Sequence, residues 1–171
     1  TPEWTWGSSI LQYKISSDYD HAGPPVWEHS GLLIPHPLGF DAVLDGLEQK
    51  LSSPDLLEAY GMTEERAAAY VKWLRAGAQD PMRLRLGWMP RAHPLVRSDG
   101  TVVVPLSNEN FGIPMMALTS DGGRTWTYSA PVPSTDLIQP TLVEFSDGEI
   151  IAFFRNGDPR RRIKRSRSSD G

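Results

Sequence analysis

The sequence predicts an all-β repeat fold that is interrupted by an α-helical insertion. Residues 94–104 and 140–151 share an apolar strand, an Asp-Gly turn and a second apolar strand, and they lie about 48 residues apart. A turn that starts at residue 119 has a second copy that starts at residue 168. In residues 40–51, by contrast, apolar side chains recur at helical spacing. A period near 50 residues with short strands and tight turns is typical of a β-propeller.

Each repeat is predicted to form one four-stranded blade of such a propeller. The order is an apolar strand, an Asp-Gly hairpin, a second strand, a variable loop, a third strand and a closing turn. A single blade cannot bury both of its faces, so blades stack in a ring. The 171 residues leave room for about three blades, and a closed ring needs at least about four. We therefore expect the chain to supply part of a ring.

The closing turn carries the most specific motif of the sequence. Its residues fit the pattern Ser/Thr-x-Asp-x-Gly-x-Thr-Trp with Thr119, Asp121, Gly123 and Trp126. Asp121 is expected to accept hydrogen bonds from the main chain of the turn, and Trp126 to anchor the next strand in the core. A second copy begins with Ser168 and Asp170.

This motif resembles the Asp-box of the sialidase superfamily, whose BNR repeats form propellers. The resemblance implies a fold that is most often six-bladed, with the Asp-boxes in a structural role. It covers residues 84–171 well and residues 4–37 weakly. In the weaker region, Asp18 would be the acceptor of a degenerate Asp-box and Trp27 its returning aromatic residue after an enlarged turn.

Three segments follow from this reading of the sequence. Residues 1–38 are predicted to form a partial blade, residues 39–83 a helical insertion, and residues 84–171 propeller blades of which the last Asp-box is truncated. Within the insertion, one helix is expected over residues 40–51 and a second from Ser53-Pro54 to Gly61. A third helix is expected from a Thr63 cap to about residue 76. The insertion either caps the rim of the ring or forms a lid over a substrate pocket.

The resemblance to sialidases also implies a site. Residues 139–156 follow a sialidase blade closely, and Arg155 occupies the position of one of the three arginines that grip the carboxylate of sialic acid. Arg162 begins the following Arg-x-x-x-Ser-x-Ser-x-Asp-Gly pattern and is a second substrate-binding candidate. A guanidinium suits a carboxylate because its planar fork of donors stays charged. Gln139 stands where the family has the glutamate that assists a tyrosine nucleophile, and an amide cannot take a proton.

Two further candidates enter a blade at its innermost strand. The segment around Arg91 and His93 resembles BNR-repeat sialidase-like proteins, in which the start of this strand lines the central channel. Arg91 is a third substrate-binding candidate. His93 is, with Gln139, a catalytic candidate. His93 could form a hydrogen bond to the ligand, act as a general base, or be a histidine of the core. The remaining histidines do not have the spacing of a metal site, and no metal or cofactor is expected.

Composition narrows the function classes. The chain has no cysteine, a net charge of −4 and no apolar run long enough to span a membrane. The basic run at residues 160–167 suggests a solvated loop and strand edge, a contact to an anionic substrate, or a nucleic-acid patch. The acidic overall charge and the absence of interleaved aromatic residues disfavour nucleic acid. The compartment stays open, with a secreted or periplasmic location favoured.

Three functions are consistent with these residues, and the expected partner in each is a glycan or an acidic sugar. The first is a sialidase-like glycoside hydrolase that acts on terminal acidic sugars held by arginines. The second is a polysaccharide lyase on uronate-containing glycans, which needs an arginine and a His or Tyr but no Glu–Tyr pair. The third is a non-catalytic glycan-binding propeller, since Asp-boxes are structural and also occur in binding proteins.

Overall fold

The computed structural model describes residues 6–18, 20–133, 136–157 and 162–169. Antiparallel strands form three sheets, none of which closes on itself within the described residues. Strand accounts for 32% and helix for 27% of the structure, so sheet is the larger component. The expectation of antiparallel sheets interrupted by a helical insertion is confirmed. Helices make up more than a quarter of the structure, so the fold is not purely β.

The strands of each sheet pair as antiparallel neighbours. The first sheet is one hairpin, β1 (Leu11–Ile15) with β2 (His29–Leu33). The second sheet centres on β5 and β6, with the short strands β3 and β4 both along β5 and β7 along β6. Its strands are β3 (Trp88–Met89), β4 (Leu95–Val96), β5 (Val102–Asn108), β6 (Ile113–Thr119) and β7 (Thr127–Tyr128). The third sheet consists of β8 (Leu137–Glu144), β9 (Ile150–Asn156) and β10 (Lys164–Ser168).

The two Asp-Gly hairpins have the same hydrogen bonds, which confirms the repeat. In the first, Gly100 N–H donates to Arg97 O at 2.9 Å, and Thr101 N–H donates to Asp99 Oδ1 at 2.8 Å. In the second, Gly148 N–H donates to Phe145 O at 2.9 Å, and Glu149 N–H donates to Asp147 Oδ1 at 3.1 Å. Gly100 has φ 85° and Gly148 has φ 83°, in the left-handed region in which glycine is unstrained.

The Asp-box at Asp121 folds as the motif predicts. Asp121 Oδ1 accepts hydrogen bonds from the amides of Arg124 at 3.0 Å and Thr125 at 2.9 Å, and from the Thr119 hydroxyl at 2.9 Å. Its Oδ2 accepts from the Thr125 hydroxyl at 2.7 Å, and Gly123 N–H donates to Thr119 Oγ1 at 2.9 Å. The Thr125 amide and hydroxyl hold the pKa of the Asp121 carboxyl well below its usual range. The second copy cannot be compared, because Asp170 and Gly171 lie outside the described residues.

The degenerate Asp-box predicted in the first sheet is also present. Asp18 Oδ1 accepts from the Ser16 hydroxyl, and its Oδ2 accepts from Val26 N–H at 2.7 Å. These contacts repeat those that Asp121 makes with a hydroxyl two residues before it and with the amide that precedes the tryptophan. Unlike Trp126, whose ring packs edge-on against Tyr13 at 5.3 Å, Trp27 is 52% exposed. The enlarged turn therefore keeps the carboxylate of the motif, and its tryptophan is more exposed than the partly buried Trp126.

Two apolar clusters join the sheets. One lies between the first hairpin and the second sheet, around Leu33, Trp88 and Met115. The other lies between the second and third sheets, around Val103, Ile150 and Phe154. The same junction is fastened at its edge by Glu144, which accepts from Ser98 N–H at 3.0 Å and from Arg97 Nε at 3.4 Å. The three sheets are thus stacked face against face along the chain.

Four helices fill the connection between the first and second sheets: α1 (Phe40–Leu51), α2 (Pro54–Tyr60), α3 (Glu64–Ala78) and α4 (Pro81–Arg85). Two predicted caps are confirmed, since Thr63 Oγ1 accepts from Arg66 N–H and Gly61 ends α2 in a left-handed conformation. Ser53 precedes α2 without a side-chain capping bond, and α3 continues past its predicted end to Ala78. The sequence analysis missed α4, although Asp80 before Pro81 is a start signal and its carboxylate accepts from Met82 N–H. No described helix is long and apolar enough to cross a membrane.

The helices pack on one end of the second sheet. Phe40, Leu44 and Leu74 form a cluster with Phe111 and Ile113, which lie in the β5–β6 loop and at the start of β6. The Phe40 and Phe111 rings meet edge-on at 4.9 Å. The insertion therefore covers the sheet end that carries the β5–β6 loop, opposite the Asp-Gly hairpin and the Asp-box.

Helix packing predicts a large cost for a truncation at Leu44. Leu44→Ala should lower the free energy of unfolding by about 2–5 kcal/mol, because its side chain is fully buried and a cavity would remain. The matched control is Leu38→Ala, which truncates a side chain that is 67% exposed and should change stability by less than about 0.5 kcal/mol. Urea unfolding of both variants of the full-length protein measures the difference, and equal losses would contradict the packing.

The lowered pKa of Asp121 predicts how the Asp-box responds to acid. Its folded-state pKa lies below the unfolded value of about 3.9, so the ionised carboxylate stabilises the fold above about pH 4. That stabilisation is lost as the pH falls from there through the folded-state pKa. Asp121→Asn should therefore lose less unfolding free energy than the native protein between about pH 6 and about pH 3. The control is Asp20→Asn, at an exposed carboxylate with no hydrogen bond among the described residues. The prediction would be refuted if the unfolding free energies of Asp121→Asn and of the native protein fell equally between about pH 6 and about pH 3.

Candidate functional site

Three of the predicted site residues, Gln139, Arg155 and Arg162, lie at one end of the stacked sheets. Leu137 at the start of β8 pairs with Asn156 at the end of β9, so Gln139 and Arg155 lie near the same sheet end. Hydrogen bonding between the start of β8 and the end of β5 places this end beside the corresponding end of the second sheet, which the helices cover. The candidate site and the helical insertion are therefore on the same side, away from the Asp-Gly hairpins.

Gln139 has an unusual main-chain conformation that directs its side chain. The β8–β9 register shifts between Ile138 and Thr141, and within this bulge Gln139 has φ 55°. A residue with a side chain is strained in this left-handed region, at a cost of about 1–3 kcal/mol. The main-chain N–H of Gln139 donates to Ser107 Oγ of β5 at 3.1 Å, and Ser107 is fully buried. The bulge is therefore held from the neighbouring sheet.

Gln139 contacts Arg155 directly. Arg155 Nη1 donates to Gln139 Oε1 at 3.3 Å, across the two strands of the bulge. This is the only hydrogen bond of the Arg155 side chain within the described residues, and no carboxylate there forms an ion pair with it. Because the partner is a neutral amide, no carboxylate of the described residues compensates the charge of the guanidinium.

A concavity of about 410 Å³ opens at this pair. It is lined by predicted site residues and their strand neighbours: Gln139, Thr141, Phe153, Phe154, Arg155, Asn156, Arg162 and Ile163. Asn156 Nδ2 donates to Arg162 O at 2.6 Å and so fixes the main chain of Arg162 at the rim. The described lining residues combine two arginines with aromatic rings, and none of them has a carboxylate or an imidazole. Such a surface can bind an anion beside an apolar group.

The structure brings Gln139, Arg155 and Arg162 together but not Arg91 and His93. The latter two lie in the link between β3 and β4, are exposed and do not line the concavity. His93 Nδ1 lies 3.1 Å from Pro94 O, and its exposure does not fit a histidine of the core. Arg91 makes no hydrogen bond or ion pair with the described part of the chain. Of the basic run, Arg160 and Arg161 are outside the described residues.

A larger cavity of about 490 Å³ lies between the helices and the third sheet, and some of its polar groups form contacts between loops. Lys50 Nζ donates to Pro133 O at 3.1 Å, and Asp136 accepts from Gly157 N–H at 2.9 Å. These contacts fix the loops around the cavity. The smaller concavity at Arg155 is the better candidate, because three of the residues predicted from the sequence, Gln139, Arg155 and Arg162, line it together.

The sequence analysis missed Ser107 and Asn156. Asn156 follows Arg155 directly in the blade pattern, so the pattern contained its signal. Ser107 had none, because it is one of several small polar residues in its repeat and its partner is 32 residues away along the chain. Among the described residues, no cluster of His, Asp and Glu is arranged to hold a metal ion.

The left-handed conformation of Gln139 predicts that a glycine at this position is more stabilising than an alanine, the opposite of the order in an ordinary strand. Gln139→Ala and Gln139→Gly delete the same contacts, but glycine relieves the strain of a positive φ. The glycine variant should therefore be more stable than the alanine variant by about 1 kcal/mol. In an ordinary strand the order is reversed, since glycine there costs about 0.5–1 kcal/mol more than alanine. Urea unfolding of the two variants decides which order holds.

Comparisons with known proteins give one family match and a partial match to a solved structure. A crystal structure of a protein of unknown function from Dyadobacter fermentans DSM 18053 is similar to part of the chain, at 24% identity and a TM-score of 0.44. The match covers 53% of this chain, which spans only 27% of the length of that one. A comparison with curated proteins finds no match. The sequence profile of the BNR repeat-like domain matches residues 77–171. Because this match takes in more than half of the sequence, the chain belongs to the family of BNR repeat-like domains.

Proposed function

We propose that the three sheets are blades of a six-bladed, sialidase-like propeller, with residues 1–38 and 84–171 forming blades and residues 39–83 the insertion. Two open sheet faces support this proposal. Leu32 and Trp27 are exposed on or beside the first sheet, and Val143 and Phe145 on or after β8 of the third. Apolar side chains on a sheet face are normally buried against another sheet. Further blades on both sides would bury them and continue the ring.

The site at Arg155 binds the carboxylate of an acidic sugar in a glycan. The observation that carries this proposal is the guanidinium of Arg155, which no carboxylate of the described residues pairs with, in a concavity with a second arginine, Arg162. A carboxylate accepts two parallel N–H donors from one guanidinium, and the charged hydrogen bonds are stronger than neutral ones. The exposed part of the Phe153 ring offers an apolar surface for the sugar. Family membership favours a sialidase-like or related glycan-acting protein.

Hydrolysis of the bond to the terminal acidic sugar is the activity we assign to the whole protein. The lining of the concavity holds the substrate and does not transfer protons, because its charged groups are arginines and Gln139 cannot titrate. Since none of the described lining residues is an acid or a base, we expect the nucleophile, the acid and the base to come from other parts of the ring. His93 and Arg91 keep their candidate roles at the start of an inner strand.

The same neutral lining favours non-catalytic glycan binding as the second candidate function. A binding propeller needs only the arginines and the apolar wall of the concavity. Both candidate functions use the same carboxylate site, and they differ in whether the bound glycan is then hydrolysed.

Arg155→Gln should weaken binding of an acidic sugar by about 10- to 100-fold, because a charge-assisted hydrogen bond contributes about 1.5–3 kcal/mol. Calorimetry on the full-length protein with N-acetylneuraminic acid and with digalacturonic acid measures the loss. Arg66→Gln, which removes an exposed arginine of α3, is the matched control and should bind as the native protein does. If Arg155→Gln bound both sugars as tightly as the native protein does, the proposed site would be wrong.

Incubation of the native protein with a sialylated glycan and with a uronate-rich polysaccharide separates the activities. Released sialic acid supports the hydrolase, and an unsaturated uronate product, seen by its ultraviolet absorbance, points to the lyase instead. Binding with no product over a long incubation supports the non-catalytic candidate.

A further inference from the structure

The cavity between the helical insertion and the third sheet has a wall of apolar side chains that the fold leaves half-buried. Its volume of about 490 Å³ is within the range of cavities that hold small ligands. The insertion supplies Leu51 of α1, Leu56 of α2 and Met62 of the turn after α2, and the loop before β8 supplies Val132. Each of these side chains keeps part of its surface open to water. An apolar group that entered the cavity would bury that surface, which is favourable.

The same cavity has a positively charged lining. Lys50 lines it from the end of α1, and Lys164 and Arg165 line it from β10. Asp136 is the one carboxylate among the described lining residues, and its Oδ2 accepts a main-chain N–H at 2.9 Å. Three cations and one carboxylate leave the lining with a net positive charge, which an anionic ligand would balance.

Lys50 is the cation whose position is best defined. Its Nζ donates to Pro133 O at 3.1 Å, and Pro133 also lines the cavity. An ammonium has three N–H donors, of which this bond uses one. No carboxylate of the described residues forms an ion pair with Lys50. The loop carbonyl thus holds the ammonium at the cavity without neutralising it, so that a ligand carboxylate can accept a charge-assisted hydrogen bond there.

We propose that this cavity binds an amphipathic carboxylate, with its apolar body between the insertion and the third sheet and its carboxylate at Lys50. A medium-length alkyl chain matches the leucine and methionine side chains of the wall, whereas sugar hydroxyls would lose their hydrogen bonds to water against them. The site differs from the concavity at Arg155, since Asn156 alone is common to the described linings of the two. It goes beyond the proposed function, which requires no ligand in this cavity.

Calorimetry of the full-length protein with octanoate tests the site. The neutral probe is octanamide, and acetate is the anion without an apolar body. Octanoate should bind one-to-one and at least about tenfold more tightly than octanamide, because the neutral amide forms no charge-assisted bond to Lys50. Acetate should bind at least about tenfold more weakly than octanoate, because it has no chain to bury. Equal affinities for octanoate and octanamide, or no binding of octanoate at millimolar concentration, would overturn the proposal.

The decisive variant is Lys50→Met, which keeps an apolar stem at an exposed position and removes the charge. Its affinity for octanoate should fall at least about tenfold, while its affinity for octanamide stays within about twofold of native. Lys50→Arg keeps the charge and should retain most of the affinity for octanoate. The matched control is Lys72→Met, at an exposed lysine of α3 outside the cavity, which should bind both probes as the native protein does.

Leu56→Ala tests the apolar wall. It should weaken octanoate and octanamide by the same factor, about threefold or more, because both probes lose the same apolar contact. If neither Leu56→Ala nor Lys50→Met changes the affinity for octanoate, the probe binds elsewhere and the proposal is wrong.

Arg155→Gln shows which of the two concavities octanoate occupies. It should bind octanoate within about twofold of native, and Lys50→Met should bind N-acetylneuraminic acid within the same limit. A loss of octanoate affinity in Arg155→Gln with none in Lys50→Met would place the probe at the carboxylate site and overturn the second site. Native affinity of Arg155→Gln for the acidic sugars would instead count against the proposed function and leave the second site unaffected.

Discussion

The packing of the second sheet against the third is the interaction on which the rest of the structure depends. Val103, Ile150 and Phe154 fill the space between them, and burial of such side chains supplies the main favourable free energy of a sheet junction. Polar contacts fasten the two ends of this junction: Glu144 binds the first Asp-Gly hairpin, and Ser107 holds the bulge at Gln139. The candidate site is thus a product of the junction rather than of one strand.

Local interactions explain what the sequence could predict. The Asp-Gly hairpins, the Asp-box at Asp121 and the Thr63 cap each depend on partners within a few residues, so their geometry follows from the motif. The same holds for the degenerate Asp-box at Asp18, in which the inserted turn leaves the carboxylate contacts intact. The site was predictable only in part. Arg155 came from a blade pattern, whereas the left-handed conformation of Gln139 comes from a contact between sheets that no local pattern encodes.

The chemistry of the concavity follows from what surrounds Arg155. An arginine paired with a carboxylate would be a structural ion pair, as Arg75 is with Asp45 and Glu48 on the helices, where the two acids raise the pKa of the guanidinium. Arg155 instead has an amide partner and an open face. This contrast within one chain separates an arginine that stabilises the fold from one that is available to an anion. It is the basis of the proposal that the site holds the substrate and that other blades supply the groups for proton transfer.

The most direct test of this account is a crystal structure of the full-length protein with N-acetylneuraminic acid or digalacturonic acid. We expect the sugar carboxylate within hydrogen-bond distance of the Arg155 guanidinium, with Gln139 still left-handed and bonded to Ser107. A carboxylate from another blade paired with Arg155, or a sugar bound away from this concavity, would contradict the account.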